Sequence, residues 1–199
     1  AQESANFIRI DMEEARWVDP TLKMYRSMFF DGGFLGVGVV IQSYLYRSRE
    51  DILRLTEHKA RVRLCKGAYK ESGDIAYVRK RDVDKNFDQL MTILLDRALS
   101  FGSPAISNDG KIPPLPAIAT HDEKRINQTI HYAKQIGLPK QAVEFQMLYG
   151  IRRDLQVKLV NEGYPVRVYV PYGTEWYPYF MRRLAERPAN LWFFISNFF

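Results

Sequence analysis

Polar side chains that can bind ligands or move protons follow apolar, β-type runs along this chain. Each stands at or just past the predicted carboxyl end of a strand, where parallel β/α folds build their active sites. These residues are Asp11, Gln42, Lys66, His121, Gln146 and the pair Tyr169 and Tyr172. One such residue is weak evidence, because polar residues commonly follow strands. Their presence after all six predicted strands indicates an enzyme with a polar-lined site on one face of the fold.

Lys66 and Cys65 are the candidates for covalent chemistry. Lys66 follows a strand and precedes Gly67, and a lysine in such a place can form a Schiff base if burial lowers its pKa. The competing interpretation is a lysine that extends its ammonium group from the strand end into solvent. Cys65, the single cysteine, lies within a strand and is more typical of a small core residue than of a nucleophile.

Arg182 and Arg183 form the most informative charged group. Neighbouring arginines can hold a planar carboxylate or phosphate through forked, two-point hydrogen bonds. Glu186 lies three to four residues further along the same predicted helix and can orient one of them. A solvated helix face is the usual alternative, but Tyr179 and Phe180 share this helix, so part of it faces apolar surroundings.

Two common cofactor motifs are absent from the sequence, as is a metal-ligand pattern. The glycines of Gly32–Gly38 do not place the dinucleotide-binding spacing between a strand and a helix, and there is no phosphate-binding P-loop. His121 has no second His or Cys at metal-ligand spacing, so the sequence predicts no metal site.

Six β-type segments alternate with helical segments and must position these residues. The predicted strands are Phe7–Ile10, Val37–Ile41, Val62–Cys65, Pro116–Ala119, Val143–Phe145 and Val166–Val170. Without hairpin signals between them, this alternation predicts right-handed crossovers and a parallel sheet. An open doubly wound sheet and a (β/α)₈ barrel both fit, and the polar strand ends favour the barrel.

Local signals mark the helix ends and one long loop. Asp19-Pro20 predicts a helix start, with a stop at Gly32-Gly33, and Ser48–Asp51 predicts a capping box. Asp122 is expected to cap another helix. The stretch Ser100–Pro116, rich in Gly, Pro, Ser, Asn and Asp, predicts a surface loop. A last helix is predicted from about Glu175 to Ala185.

Composition limits the class of protein. The chain has 199 residues, 46% of them hydrophobic, which indicates a folded domain rather than a disordered one. One cysteine excludes an internal disulfide framework. The net charge of +6 favours anionic partners, although the basic residues are too scattered to predict nucleic-acid binding. With no signal-peptide pattern and no apolar run of membrane-spanning length, we expect a cytoplasmic protein.

Several stretches, in their order, resemble the proline dehydrogenase family, and most of all its monofunctional bacterial branch. The similarity covers about Phe7 to Asn190, and its most specific element is Tyr179-x-x-Arg182-Arg183-x-x-Glu186. The other matching stretches are Ile10–Glu13, Ile41–Tyr44, Arg63–Tyr69, Ala119–Asp122, Glu144–Gly150 and Tyr169–Gly173.

The resemblance implies an FAD enzyme on a (β/α)₈ barrel. Its reaction would oxidise L-proline to Δ1-pyrroline-5-carboxylate, with hydride passing from the ring carbon beside nitrogen to flavin N5. A membrane quinone would reoxidise the flavin, and the product could pass to a pyrroline-5-carboxylate dehydrogenase. The resemblance also allows a peripheral contact with the inner face of the cell membrane.

The resemblance implies roles for individual residues as well. Arg182 and Arg183 would bind the proline carboxylate, with Asp11 pairing one of them and Glu186 fixing their orientation. Tyr169, Tyr179 and Leu148 would enclose the proline ring. Arg63 would approach flavin N5, and the rest of the cofactor site would be lined by Gln42, Cys65, Lys66, Gly67, Thr120, His121 and Gln146.

Length produces one further expectation. A complete eight-unit barrel typically needs about 250 residues. Phe7–Ile10 matches the third barrel strand of the family, so we expect the 199 residues to cover the third to eighth strand–helix units as the C-terminal three-quarters of one barrel domain. The first two units, with the substrate-binding lysine that the family carries on the first strand, have no counterpart, and we expect a longer protein.

Two other classes of function stay open at this level. The first is a Schiff-base lyase of the aldolase type that uses Lys66. The second is a non-catalytic remnant whose open sheet edges and apolar tail, Leu191–Phe199, bind another chain.

Overall fold

The computed structural model describes residues 6–174, in which six β-strands alternate with five α-helices. The strands are β1 (Ile8–Ile10), β2 (Val37–Gln42), β3 (Arg61–Cys65), β4 (Pro116–Ala119), β5 (Glu144–Leu148) and β6 (Val166–Tyr169). The helices are α1 (Val18–Arg26), α2 (Ser48–Thr56), α3 (Lys80–Ser100), α4 (Glu123–Gln135) and α5 (Arg153–Asn161). Every strand begins within one residue of its predicted start.

Strand order identifies the architecture. The six strands form one sheet in the order β1-β2-β3-β4-β5-β6, and the neighbours from β1 to β5 pair in parallel. A doubly wound sheet reverses its strand order at a switch point, whereas a (β/α)₈ barrel keeps neighbours in chain order. The sequential order therefore confirms the predicted barrel type, represented within residues 6–174 by six strands and five helices.

The outer face of the sheet packs against the helices and forms the core. Alternate strand residues such as Val39, Leu64 and Phe145 are fully buried there. The long helix α3 covers this face with Phe87 and Leu90, which are also fully buried. Burying each of these large side chains stabilises the fold by about 1.5–3 kcal/mol, so the outer face fixes the positions of β2, β3 and β5 against the helices.

The inner face of the sheet is unusually polar. The register aligns Arg9 with Gly38 and then Arg61, and aligns Arg63 with Ala117 and then Glu144. By the two-residue period of a strand, the inner face comprises Arg9, Gly38, Val40, Gln42, Arg61, Arg63, Cys65, Ala117, Ala119, Glu144, Gln146, Leu148 and Arg167. This face carries the charged and amide groups from which a site can be built.

The predicted surface loop Ser100–Pro116 crosses the amino end of the sheet. Arg61 Nε donates to the carbonyl of Pro113 at 2.8 Å, and Arg167 Nη2 donates to the carbonyl of Gly110 at 2.9 Å. The loop therefore ties β3 to β6 at the end opposite the polar strand ends.

Two local predictions are wrong in detail. Ser48 begins α2 but does not cap it, because its hydroxyl donates to the carbonyl of Gln42 at 2.5 Å. Gln146 does not end its strand, because β5 continues to Leu148. The predicted stop at Gly32 is correct, although the last turn before it, Ser27–Asp31, is a π turn rather than an α-helix.

The chain divides into two compact units, residues 1–168 and 169–199, and the structure describes residues 169–174 of the second. The predicted helix from Glu175 to Ala185 lies outside the described residues. Within residues 6–174, no helix combines the length and the apolar character needed to cross a bilayer.

Replacing Gly38 with alanine should destabilise the sheet. A Cβ at this position would lie 2.6 Å from the carbonyl oxygen of Arg61 and 3.1 Å from Arg9 Nη1. We expect the free energy of unfolding in urea to fall by about 1–3 kcal/mol, as for other overpacked sites. Gly73→Ala is the matched control, because its Cβ would meet its nearest atom only at 3.4 Å. Equal stability of the two variants would contradict the close approach at Gly38.

Candidate active site

Arg63 is the hub of the inner face. Its Nη1 lies 2.5 Å from Asp11 Oδ1, and its Nε donates to Gln146 Oε1 at 2.7 Å. The side chain is only 15% exposed. The guanidinium therefore links the residue after β1 to the middle of β5 and is held from both sides.

Small residues on β4 make this reach possible. Neighbouring strands lie about 4.8 Å apart, so an arginine on β3 must cross one whole strand to meet β5. On the inner face of β4 the intervening residues are Ala117 and Ala119. Their methyl groups leave room for the long Arg63 side chain to lie across the strand.

A second, deeper ion pair lies beneath Gln146. Glu144 is 1% exposed and accepts from Arg167 Nε at 3.0 Å and from its Nη2 at 2.9 Å. Gln146 Nε2 donates to Glu144 Oε1 at 2.5 Å. A continuous set of polar contacts thus runs from β6 through β5 to Arg63.

The inner face carries more positive than negative charge. Within residues 6–168 it holds four arginines, Arg9, Arg61, Arg63 and Arg167, against the carboxylates of Glu144 and the adjoining Asp11. Burial, followed by the nearby Arg63, lowers the pKa of Arg9 to about 9, which still leaves it charged near neutral pH. An anionic group is favoured on this face, because an excess of charge of one sign attracts ions of the other.

Gln42, Cys65 and Gly67 stand at the carboxyl ends of β2 and β3. Gln42 is 4% exposed, and its Oε1 is buried without a hydrogen-bond partner among the described residues. Burial raises the pKa of the Cys65 thiol to about 11, so near neutral pH it is a thiol rather than a nucleophilic thiolate. Gly67 has φ +97° and lies against the ring of Tyr44, and both features exclude a side chain.

Lys66 is tied into an ion cluster. Its Nζ lies 2.5 Å from Asp84 Oδ1 and 2.7 Å from Asp122 Oδ2. Lys80 also pairs with Asp84 at 2.5 Å, and Arg125 lies 3.5 Å from the same carboxylate. The cluster joins the end of β3 to the amino-terminal parts of α3 and α4. Lys66 is therefore a fixed support for the loop after β3.

Thr120, His121 and Leu148 join the ends of β4 and β5. Thr120 Oγ1 accepts from the backbone N–H of Asp122 at 3.1 Å, and Asp122 in turn caps α4, as predicted, by accepting from the N–H of Lys124. His121 Nε2 accepts from the N–H of Leu148 at 2.9 Å, so the imidazole proton must be on Nδ1 in this arrangement.

The loops that follow β1, β2 and β3 are connected to one another. The N–H of Ala15 donates to Glu71 Oε1 at 2.7 Å, which joins the first loop to the third. The N–H of Tyr46 donates to Ile75 O at 3.0 Å, and the N–H of Tyr77 donates to Tyr44 O at 2.7 Å. The loops therefore hold one another at the carboxyl end of the sheet.

The structure brings together most of the predicted site. Asp11, Gln42, Arg63, Cys65, Gln146 and Leu148 lie on or next to the inner face, and Gly67, Thr120 and His121 lie in the loops that follow β3 and β4. The Lys66 side chain instead pairs with Asp84 and Asp122 at α3 and α4. Tyr169, the last residue of β6, belongs to the second unit and is 40% exposed. Tyr179, Arg182, Arg183 and Glu186 lie outside the described residues, so the proposed carboxylate contacts remain predictions.

The sequence interpretation missed Glu144, Arg167 and Arg9. Each is a charged residue inside a strand, and each lies two residues from another polar residue. The pairs Arg9/Asp11 and Glu144/Gln146 repeat with the period of two that marks one face of a strand. That repeat is the sequence signal that could have predicted a polar face on these strands.

Comparison with known proteins gives the family. A protein-family model described as "Proline dehydrogenase" matches residues 1–195. This chain belongs to the proline dehydrogenase family. It is 44% identical over 197 residues to the proline dehydrogenase of Deinococcus radiodurans, covering 99% of this chain and 59% of that protein. It is 43% identical over 190 residues to proline dehydrogenase 1 of Bacillus subtilis, covering 96% of this chain and 57% of that protein.

Solved structures of related proteins support the fold. The proline utilization A (PutA) protein of Bdellovibrio bacteriovorus, inactivated by N-propargylglycine, matches with a TM-score of 0.79 and 30% identity over 92% of this chain and 20% of its own. PutA of Bradyrhizobium japonicum matches with a TM-score of 0.73 at 24% identity over 90% of this chain and 19% of its own, which supports the fold alone. This member of the proline dehydrogenase family spans less than two thirds of the length of the two curated relatives named above.

Asp122 should contribute to stability in two separable ways. Asp122→Ala removes both the cap of α4 and an ion-pair partner of Lys66, and we expect a loss of about 1–2 kcal/mol. Asp122→Asn keeps a cap acceptor and loses only the charge, so it should cost less. Urea unfolding at neutral pH measures both, with Asp31→Ala, outside this cluster, as the control. Equal losses for the Ala and Asn variants would contradict the capping role.

The ion cluster should make stability fall in acid. For both Asp84 and Asp122, burial alone would raise the carboxyl pKa, but the hydrogen bonds from Lys66, with Lys80 also bonded to Asp84, more than offset it, so both pKa values are lowered. A lowered folded-state pKa stabilises the protein fully at pH values well above the unfolded pKa of about 3.9, and the contribution is lost progressively as the pH falls from about 5 through the lowered folded-state pKa.

We therefore expect the free energy of unfolding to decrease from pH 5 towards pH 3, and to decrease less steeply in Asp84→Asn. Urea titrations at half-unit pH intervals measure the slope. An unchanged slope in Asp84→Asn would show that the ion pairs of Asp84 do not lower its pKa.

Proposed function

We propose that this chain carries FAD and oxidises L-proline to Δ1-pyrroline-5-carboxylate. Membership of the proline dehydrogenase family supports proline oxidation. The observation that carries the proposal is the fixed Arg63 guanidinium on the inner face, held between Asp11 after β1 and Gln146 in the middle of β5. Both the carboxylate of proline and the electron-rich edge of a flavin suit such a place.

The described residues offer a donor and acceptor set that fits a flavin. Arg63 and His121 carry N–H donors, and Thr120 carries a hydroxyl. The buried Gln42 Oε1, which lacks a partner among the described residues, is an acceptor of the kind that a flavin ring N–H requires. Gly67 allows the left-handed turn that packs the loop after β3 against the Tyr44 ring, next to these groups. Bound FAD would supply the acceptor for the hydride that leaves proline.

The protein's own residues would position the substrate and balance the charges at the site. Arg63, held by Asp11 and Gln146, keeps a fixed positive charge at the site without having to reorganise during the reaction. We propose, from the family resemblance, that Arg182 and Arg183 bind the proline carboxylate, that Glu186 orients them, and that Tyr169, Tyr179 and Leu148 exclude water from the ring. Holding the donor carbon in one orientation is the main contribution that such residues make to the rate.

The wider setting of the reaction is proposed on the same basis. A membrane quinone would take the electrons, and a pyrroline-5-carboxylate dehydrogenase would take the product. A peripheral contact at the inner face of the cell membrane would bring the protein to its quinone.

The alternative Schiff-base lyase is not favoured by the geometry. Schiff-base formation needs a neutral, accessible lysine amine. Lys66 instead forms ion pairs with both Asp84 and Asp122 at 2.5 and 2.7 Å, in a cluster that supports the loop after β3.

The decisive experiment is a visible spectrum titrated with L-proline. The chain is expressed alone, and also fused to the part of the Deinococcus radiodurans relative that lies outside the match. We expect FAD to give a flavin spectrum in the fusion that L-proline bleaches. D-proline at the same concentration is the control, because a site that positions the L-ring should leave the spectrum unbleached with D-proline. A folded fusion that acquires no flavin spectrum, or one that L-proline does not bleach, would contradict the proposal.

A further inference from the structure

Glu144 is a buried carboxylate that the proposed reaction does not use directly. It is 1% exposed in the middle of the sheet, where an isolated charge would be costly. Its two oxygens accept from Arg167 at 2.9–3.2 Å, and one of them also accepts from Gln146 Nε2 at 2.5 Å. The ion pair of Glu144 and Arg167 therefore contacts the site through the Gln146 amide.

Donor and acceptor chemistry fixes the orientation of the Gln146 amide. The Glu144 carboxylate, paired with Arg167, only accepts hydrogen bonds, so Gln146 must turn its NH₂ group towards it. The carbonyl oxygen of Gln146 then points the other way and accepts from Arg63 Nε at 2.7 Å. The flipped amide would place an NH₂ group against the Arg63 N–H, which is a contact between two donors.

Arg167 completes this arrangement from the amino end of the sheet. Its Nη2 donates to Glu144 and also to the carbonyl of Gly110 in the Ser100–Pro116 loop. Arginine has only donors, so it holds Glu144 as an acceptor and compensates its charge. The loop thereby fixes one end of a chain of contacts whose other end is Arg63.

We propose that Glu144 is a positioning residue that fixes the Arg63 guanidinium by setting the orientation of the Gln146 amide. The proposal deepens the proposed function, because Arg63 is the residue expected to face the flavin. Its core claim, however, concerns only the bond between Arg63 and Gln146 and can be measured without any cofactor.

Glu144→Gln should reverse the orientation of Gln146. Arg167, a pure donor, would draw the new amide's carbonyl, and the new NH₂ group would face Gln146. Gln146 would then turn its own carbonyl towards position 144 and its NH₂ group towards Arg63, which breaks the bond from Arg63 Nε. Adding Arg167→Met removes the competing donor, so the new amide's carbonyl can again face Gln146 and the bond should return.

The test measures hydrogen exchange of the Arg63 Nε–H by ¹⁵N NMR. The Arg63 signal is assigned by its disappearance in Arg63→Lys. We expect exchange about tenfold faster in Glu144→Gln than in the parent, which corresponds to about 1.4 kcal/mol and is within the range of coupling between residues in contact. The double variant Glu144→Gln/Arg167→Met should return to within about twofold of the parent, a recovery that non-additive neighbouring contacts permit. Glu162→Gln, on an exposed glutamate, is the matched control and should not differ from the parent.

A different result is expected if the ion pair between Glu144 and Arg167 only stabilises the fold. It would make the double variant no better than Glu144→Gln at protecting Arg63, and that outcome would overturn the proposal. Unchanged exchange in Glu144→Gln would overturn it too. If Glu144→Gln does not fold, the double variant still decides, because it leaves no unpaired buried charge between positions 144 and 167. Parent-like protection in the double variant supports the proposal, and lost protection contradicts it.

FAD titration of the fusion and its variants separates this inference from the proposed function. We expect the FAD dissociation constant to rise about tenfold in Glu144→Gln, on the same coupling scale, and to recover in the double variant. If no protein binds FAD but the exchange pattern holds, the proposed function fails and the positioning role stands. If FAD binds and the exchange pattern is absent, the positioning role fails and the proposed function stands.

Discussion

The site depends on one constraint, which is that the Arg63 guanidinium is held from two sides on the inner face of the sheet. Asp11 binds one end of it and Gln146 the other, across the small side chains of Ala117 and Ala119. A guanidinium with two partners loses little freedom when a ligand arrives, so its charge is available without reorganisation. The rest of the described structure serves to keep these partners in register.

Two layers of support maintain that register. On the outer face, the fully buried side chains of Leu64 and Phe145 fix β3 and β5 against the helices. At the carboxyl end, Lys66 joins β3 to the amino-terminal parts of α3 and α4 through Asp84 and Asp122. The apolar layer sets the positions of the strands, and the ion cluster sets the loops that leave them. A polar inner face is possible because the apolar outer face supplies the stability.

Much of this arrangement could be predicted from the sequence. Alternating strand and helix signals predicted the order of the elements, and Asp122 was predicted as a cap because an acceptor before a helical period satisfies the first N–H groups. The polar residues after the strands were predicted to meet because parallel strands end at the same edge. Arg63 was assigned to the site by family resemblance, and the structure adds that Asp11 and Gln146 hold it.

Other features could not be predicted from local signals. Glu144 and Arg167 are far apart in sequence, and only the pairing of neighbouring strands brings the two charges together. The Ser48 hydroxyl had two competing partners, the helix N–H groups and the carbonyl of Gln42, and the tertiary contact won. The role of the Ser100–Pro116 loop depends on the strand ends it meets at Arg61 and Arg167, which loop composition does not encode.

The most direct measurement of the central claim is a crystal structure of the FAD-loaded fusion at a resolution that defines side-chain amides. The flavin ring should lie against the Arg63 guanidinium at the carboxyl ends of β3 to β5, with the bond from Arg63 to Gln146 intact. A flavin bound elsewhere, or an Arg63 side chain turned away from both Asp11 and Gln146, would contradict the account.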